Sequence, residues 1–213
     1  MAISTAHASP RRLTGEQRRV QLLAVAATLF SEGGYRTTTM DDVAEAAGVT
    51  KPLLYQHFSS KKALYLELVD GIAVRVLAAI SEATARAEGP RQQVEEGFLA
   101  YFDLVVEDQA SFQLLYDRDH GDDEDLGRAV RRVETALIAA VDPLIDAGLD
   151  LDHRQFLAAA IVGMAEGASL EWIESRPRTE PLTTAAERRA EAERLARRLS
   201  SLVWAGLRSV RAD

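Results

Sequence analysis

The chain contains no cysteine. Disulfides, thiolate nucleophiles and cysteine-held metals are therefore excluded together. Long apolar runs are also missing. The longest uncharged one, Phe156 to Ala165, falls well short of the roughly 20 residues that span a bilayer. The opening segment MAISTAHASPRR has no apolar stretch of signal-peptide length. These absences set the expectation of a soluble, cytoplasmic chain with no membrane partner. The four histidines, His7, His57, His120 and His153, never recur at i and i+4, and there is no His-Glu-x-x-His. Neither a phosphate-cradling glycine loop nor a nucleophile elbow occurs. No metal, no other cofactor and no enzymatic activity are expected. Catalysis would need convergent polar groups of perturbed pKa in a cavity.

What is present is apolar and helical in pattern. Apolar residues make up 47% of the 213, which argues against disorder and provides for a core. The most informative stretch is Thr37 to Lys62. Met40, Val43, Ala44 and Ala47 fall at i, i+3, i+4 and i+7, one buried stripe of a short helix. Thr39, with Asp42 three residues on, predicts a capping box at its start. Gly48 ends the helix where a left-handed residue is wanted, Val49 plugs the corner, and Thr50 is placed to cap the next helix. Pro52 is tolerable in a first turn. Leu54 and Phe58 bury this second helix and leave Lys51, Gln56 and His57 facing outward, with Tyr55 partly so. The pattern is a helix-turn-helix.

The spacing of Ala44, Gly48, Thr50-Lys51-Pro52, Leu54-Tyr55-Gln56-His57-Phe58 and Lys61 resembles the TetR family of bacterial transcriptional regulators. The matching region runs from about Leu22 to Leu68, and Gly34-Tyr35 stands at the family's distance before the turn glycine. Beyond Leu68 the likeness is one of architecture alone. The resemblance implies an all-α chain: a three-helix DNA-binding head joined by a long helix to a helical body that binds ligand and dimerises. It implies a flexible arm over 1–13, a head over 14–62 and the body over 63–213. It also implies that Thr39, Tyr55, His57 and Lys61 bond phosphates of double-stranded DNA. Thr50, Lys51 and Gln56 then reach phosphates or base edges, beside Pro52. Leu53 meets a thymine methyl or is partly buried.

Charge is distributed as such a head requires. The net value of −8 divides into +3 over residues 1–62 and −11 over the remainder, so only one end suits a duplex. Arg11 and Arg12 of the arm touch phosphate or simply sit in a solvated tail. Thr14 and Gln17 form a capping box for a first helix with Val20, Leu23, Ala24, Ala27 and Phe30 as its predicted apolar stripe, closed by Gly33-Gly34. From Lys61 to about Ala87 a helix carries Leu64, Leu68, Ile72, Val76 and Ile80 at four-residue spacing. It is roughly 40 Å long at about 1.5 Å per residue, and it joins head to body without a floppy linker.

In the body, Val94, Phe98, Tyr101, Phe102 and Val105, then Phe112, Leu115 and Tyr116, mark a helix and a short successor. They are read either as an aromatic core patch or as the wall of a ligand cavity; Leu137, Met164 and Trp172 complete the candidate lining. The acidic run Asp117–Asp125 departs from a calcium loop at the turn glycine and the bidentate glutamate, and reads as solvated. A helix over about Glu124–Ala147 is predicted to kink near Ala139 because of Pro143. Glu166 must point to solvent, a cavity or a partner. Thr184 and Glu187 cap the last helix, beyond a linker at Pro177 and Pro181. Ala159, Gly163, Gly167, Leu199, Val203, Gly206 and Val210 are the candidate homodimer face, although packing within one chain yields similar stripes.

Two functions fit. The first is a ligand-responsive regulator, a repressor, that binds a palindromic operator as a dimer, lies with the nucleoid and is released by a small apolar effector. The second is a DNA-tethered interaction protein, a nucleoid or division factor without an effector pocket. An enclosed apolar cavity in the body favours the first, and a filled core with an exposed apolar patch favours the second.

Overall fold

A computed structural model describes residues 13–116, 123–145, 148–175 and 182–210. Arg11, Arg12, the 117–122 part of the acidic run and the Pro177 and Pro181 linker lie outside the described residues. Among the described residues the chain is all-α, with nine α-helices and one short 3-10 turn.

α1 (Gly15–Gly33) opens on the expected capping box. The Gln17 N–H donates to Thr14 Oγ1 at 3.2 Å, and the Thr14 N–H donates to Gln17 Oε1 at 3.0 Å. It closes at Gly34, whose φ of 81° is open to glycine at no steric penalty. Its buried face is Leu22, Ala26, Ala27 and Phe30; Val20 is 58% exposed and Ala24 is exposed, so the predicted stripe is corrected. α2 (Met40–Ala46), α3 (Lys51–His57) and α4 (Lys61–Ala85) follow. On α4 the predicted residues Leu64, Leu68, Ile72, Val76 and Ile80 are all buried. At about 1.5 Å per residue this rod is roughly 37 Å long.

The body adds α5 (Pro90–Glu107), α6 (Gln109–Tyr116), α7 (Glu124–Val141), α8 (Leu151–Ser175) and α9 (Ala185–Leu207). α5 packs between α4 and α9, α7 lies against α4 and α8, and α6 reaches back to α1. One continuous apolar core runs from Leu22 and Phe30 of the head through α4 to Val203 of α9. The expected kink at Ala139 does not occur. The α-helix ends at Val141, and Pro143 enters a 3-10 turn, Asp142–Leu144, where its missing N–H disrupts no continuing helix. α9 starts on the predicted capping box of Thr184 and Glu187.

α8 is long and apolar enough by composition to cross a membrane, with mean hydropathy 1.4 over its most apolar window. In the structure it is one wall of the bundle, burying Ala158, Val162, Ala165, Ser169 and Trp172. Its other face, with Phe156, Ala159, Gly163, Met164 and Gly167, is exposed.

Candidate DNA-reading head and body cavity

The head is held by bonds that the chain makes locally. The Asp42 N–H donates to Thr39 Oγ1 at 3.2 Å, and Asp42 Oδ2 accepts from the Thr39 N–H and hydroxyl, each at 2.8 Å. The Thr39 backbone N–H holds the Asp42 carboxyl below its ordinary pKa. Gly48 has φ 64°, as the turn requires, and Val49 packs half-buried against the core. Thr50 occupies the N-cap position of α3, but its side chain makes no capping bond, contrary to expectation. Its hydroxyl is left at an exposed surface. Leu54 and Phe58 are buried as predicted.

Lys51, Pro52, Tyr55 and Gln56 are exposed, while Leu53 and His57 are half-buried. Thr50, at the N-cap of α3, and Thr39, at the N-cap of α2, are exposed as well. Lys51 Nζ lies 2.8 Å from Asp41 Oδ1 and 3.0 Å from Oδ2, and this bond raises its pKa. Lys61 differs from the rest. Its ammonium donates to the carbonyls of Tyr35 at 2.8 Å, Arg36 at 3.3 Å and Thr38 at 2.9 Å, and rests 4.4 Å from the Tyr35 ring centre. An ammonium has three protons to give, so here Lys61 fastens the α1–α2 connection. Burial lowers its pKa.

Three ties that were not anticipated fasten α4 to its neighbours in head and body. Arg19 donates to Glu67 Oε1 at 2.6 Å and to the His57 carbonyl at 2.8 Å, and stacks 4.5 Å from the Phe58 ring centre. Tyr65, fully buried, donates to the Leu114 carbonyl of α6 at 3.0 Å. Lys62 bonds Asp123 at 3.0 Å and also Asp125, at the start of α7. Those two aspartates were expected in a solvated loop. Lys62 instead holds both carboxyls below their ordinary pKa.

In the body a cavity of about 90 Å³, partly open to solvent, lies between α4, α5, α7, α8, α9 and the 3-10 turn. Ile80 and Thr84 bring α4 to it, Phe98 and Tyr101 bring α5, and Leu137 and Ile161 come from α7 and α8. The polar groups on its wall are few: Thr84, Gln93, Tyr101 and Glu166. Apolar walls with a few placed polar groups are the usual composition of a small-molecule site.

The family model for bacterial regulatory proteins, tetR family, matches residues 22–68. The transcriptional activator FasR of Mycolicibacterium smegmatis is 31% identical over 164 residues, covering 76% of this chain and 75% of FasR. The chain belongs to the TetR family. The transcriptional repressor KstR2 of Mycobacterium tuberculosis is 32% identical over 108 residues, 50% of this chain and 54% of KstR2. A TetR-like regulator from Rhodococcus sp. RHA1 has the same fold, with TM-score 0.73 and 24% identity over 93% of this chain and all of that one. The protein is thus a helix-turn-helix, DNA-binding transcriptional regulator of the TetR family.

Of the ligand residues expected for this TetR-family body, Phe98, Tyr101 and Leu137 line the cavity. Phe102 and Phe112 are spent in the core, where Tyr101 meets them edge-on at 5.3 and 5.8 Å. Leu115 and Tyr116 are half-buried behind the wall, with the Tyr116 hydroxyl 2.7 Å from that of Tyr101. Met164 turns outward, and Trp172 is buried with its Nε1 donating to Glu191 of α9 at 2.7 Å. Both are corrected. The dimer candidates divide in the same way. Ala159, Gly163, Gly167 and Gly206 are exposed, with open space beyond the three glycines. Leu199 and Val203 are buried within the chain, and Val210 packs half-buried against Ile145, Leu149 and Ala158.

Proposed function

We propose that the protein acts as a homodimer on a near-palindromic operator, and that a small apolar effector in the body cavity releases it. Each α3 enters a major groove. Thr39, Thr50, Tyr55 and His57 hold phosphates, and Lys51 and Gln56 read sequence, beside Pro52 and Leu53. Lys61 supports this surface from behind. The exposed faces of α8 and α9 meet their copies, because small residues let backbones approach closely; Leu202, 62% exposed, adds apolar area there. The sign adopted is repression, that of KstR2. The regulator is at home where the chromosome is, in the cytoplasm.

One observation carries the reading. The cavity is walled by Ile80 and Thr84 of the same unbroken helix that begins at Lys61, directly after the recognition helix and its Phe58–Ser60 bend. A ligand that prefers one position of α4 therefore biases the spacing of the two heads. It does so only to the extent that it binds the DNA-incompetent state more tightly. The interaction-protein alternative has no use for an apolar cavity on that helix.

The test begins with selection of bound fragments from random duplex DNA. Lipophilic compounds are then screened for release, with sedimentation run alongside. The expected result is an inverted-repeat site and a compound that weakens binding while the dimer persists. A single unpaired half-site, or release seen only with dissociation into monomers, defeats the proposal.

A further inference from the structure

Little within α3 itself fixes its direction. It has seven residues, about 10 Å of rod, and helices below about 12 residues are marginal on their own. Within it Leu54 is the buried residue, with Phe58 buried just beyond its end. Its orientation therefore depends on ties to other elements. At its start Lys51 pairs with Asp41 of α2, and both side chains are more than half exposed, so solvent weakens that pair.

At its end the tie comes from α1. His57 is the last residue of α3, and its carbonyl accepts a charge-assisted bond from Arg19 Nη1 at 2.8 Å. The same guanidinium grips Glu67 of α4 with two parallel bonds, Nε at 2.6 Å from Oε1 and Nη2 on Oε2. It also lies 4.5 Å from the centre of the buried Phe58 ring. A guanidinium is planar and rigid, so Glu67 and Phe58 together fix where Nη1 points. Half-buried Arg19 thus joins α1, α3 and α4 at one point, and its charge is met by Glu67.

We propose that Arg19 is a positioning residue for DNA reading. It leaves the duplex to α3 and fixes the end of α3 at His57, and so the angle at which Tyr55 and Gln56 are presented. This rests on the reading of α3 as the helix that enters the major groove. Base edges demand closer placement than the general attraction of phosphates, so loss of the tie lowers selectivity first.

The experiment compares the full-length protein with Arg19→Met/Glu67→Met, which removes the fork and its carboxylate together and leaves net charge unchanged. Affinity is measured over a salt series for two duplexes. One is selected by the parent protein from random fragments, and the other is a shuffled sequence of equal composition. The double variant binds the selected duplex about tenfold more weakly, the scale of one lost base contact, at an unchanged salt slope. Its affinity for the shuffled duplex changes by less than about twofold, and its helicity by circular dichroism matches the parent. Arg19→Lys keeps the charge and the stem but not the fork, and regains part of the loss. Should the double variant unfold, Arg19→Lys alone carries the test, with a loss of about threefold confined to the selected duplex. A salt slope reduced by about 1 per head makes Arg19 a phosphate contact, and equal losses on both duplexes make it a part of the head's stability alone. Either result overturns the inference, as does parent-like binding by the variant tested. Lys51→Ala/Gln56→Ala is run in parallel. Indifference of the selected duplex to that change overturns the reading of α3 itself, and this inference with it.

Discussion

Tyr65→Phe removes one oxygen from the place where α4, α1 and α6 meet. The ring is fully buried, 5.7 Å from Phe30 and 5.0 Å from Tyr35 between ring centres, and phenylalanine preserves that packing. What is lost is the bond from the hydroxyl to the Leu114 carbonyl at 3.0 Å. Leu114, the acceptor's residue, is itself fully buried. The substitution therefore strands a buried acceptor, an effect of about 1–3 kcal/mol, well above the value of an ordinary exchanged hydrogen bond. For a chain of this size each kcal/mol moves Tm by about 2–4 °C, so a fall of about 2–12 °C is expected. Circular dichroism melting at one fixed protein concentration measures it, the concentration being held because any self-association feeds into Tm. A melting point within about 1 °C of the parent would refute the claim that this hydroxyl is the partner of the α6 end.

Lys51→Ala lowers the slope of log affinity against log salt by about 1 per head if the ammonium meets phosphate, or flattens one base preference at unchanged slope if it reads a base; filter binding over a salt series separates the two, and an unaltered profile removes Lys51 from the interface. Lys62→Met frees the start of α7 from α4. The Asp123 and Asp125 carboxyls lie below their unfolded pKa in the folded chain, so their contribution is complete above the ordinary carboxylate value and fades as pH falls through the lower folded values. The variant should accordingly lose stability at neutral pH and show a flatter acid limb in denaturant titrations, while a parallel curve would discount the tie. Gly163→Trp places a large side chain where the folded chain has open space, so helicity by circular dichroism is retained while sedimentation reports monomers; an intact dimer would move the interface off α8.

The head was legible because its signals are local. Thr39 with Asp42, Thr14 with Gln17, and Gly48 each declare themselves within three residues, and the α4 stripe repeats without competition. α1 was misread for the opposite reason. In an alanine-rich helix, Val20–Leu23–Ala24 and Leu22–Ala26 are rival stripes, and only tertiary packing chooses between them. Leu199 and Val203 carry the same periodicity whether they face α5 or a second chain, so spacing alone could not assign them. The aromatic cluster was correctly located on α5 and α6, yet the division into core and cavity depends on neighbours from α7 and α8. Arg19 with Glu67, and Lys62 with Asp123, join residues 48 and 61 positions apart, a separation at which charge pairing leaves no local trace. Glu166 was noticed as out of place in an apolar helix, and it stands half-buried on the cavity wall.

The uninterrupted core has a consequence for anyone who treats the reading head as a portable part. Leu64, Tyr65, Leu68 and Val69 belong to the same packed cluster as Leu22, Phe30 and Phe58, and α1 leans on α6. A fusion cut after the recognition helix would carry half of a shared interior into water. Grafting this operator preference onto another sensor calls for exchanging the contact residues of α3 in place, with the foundation beneath them left where it grew.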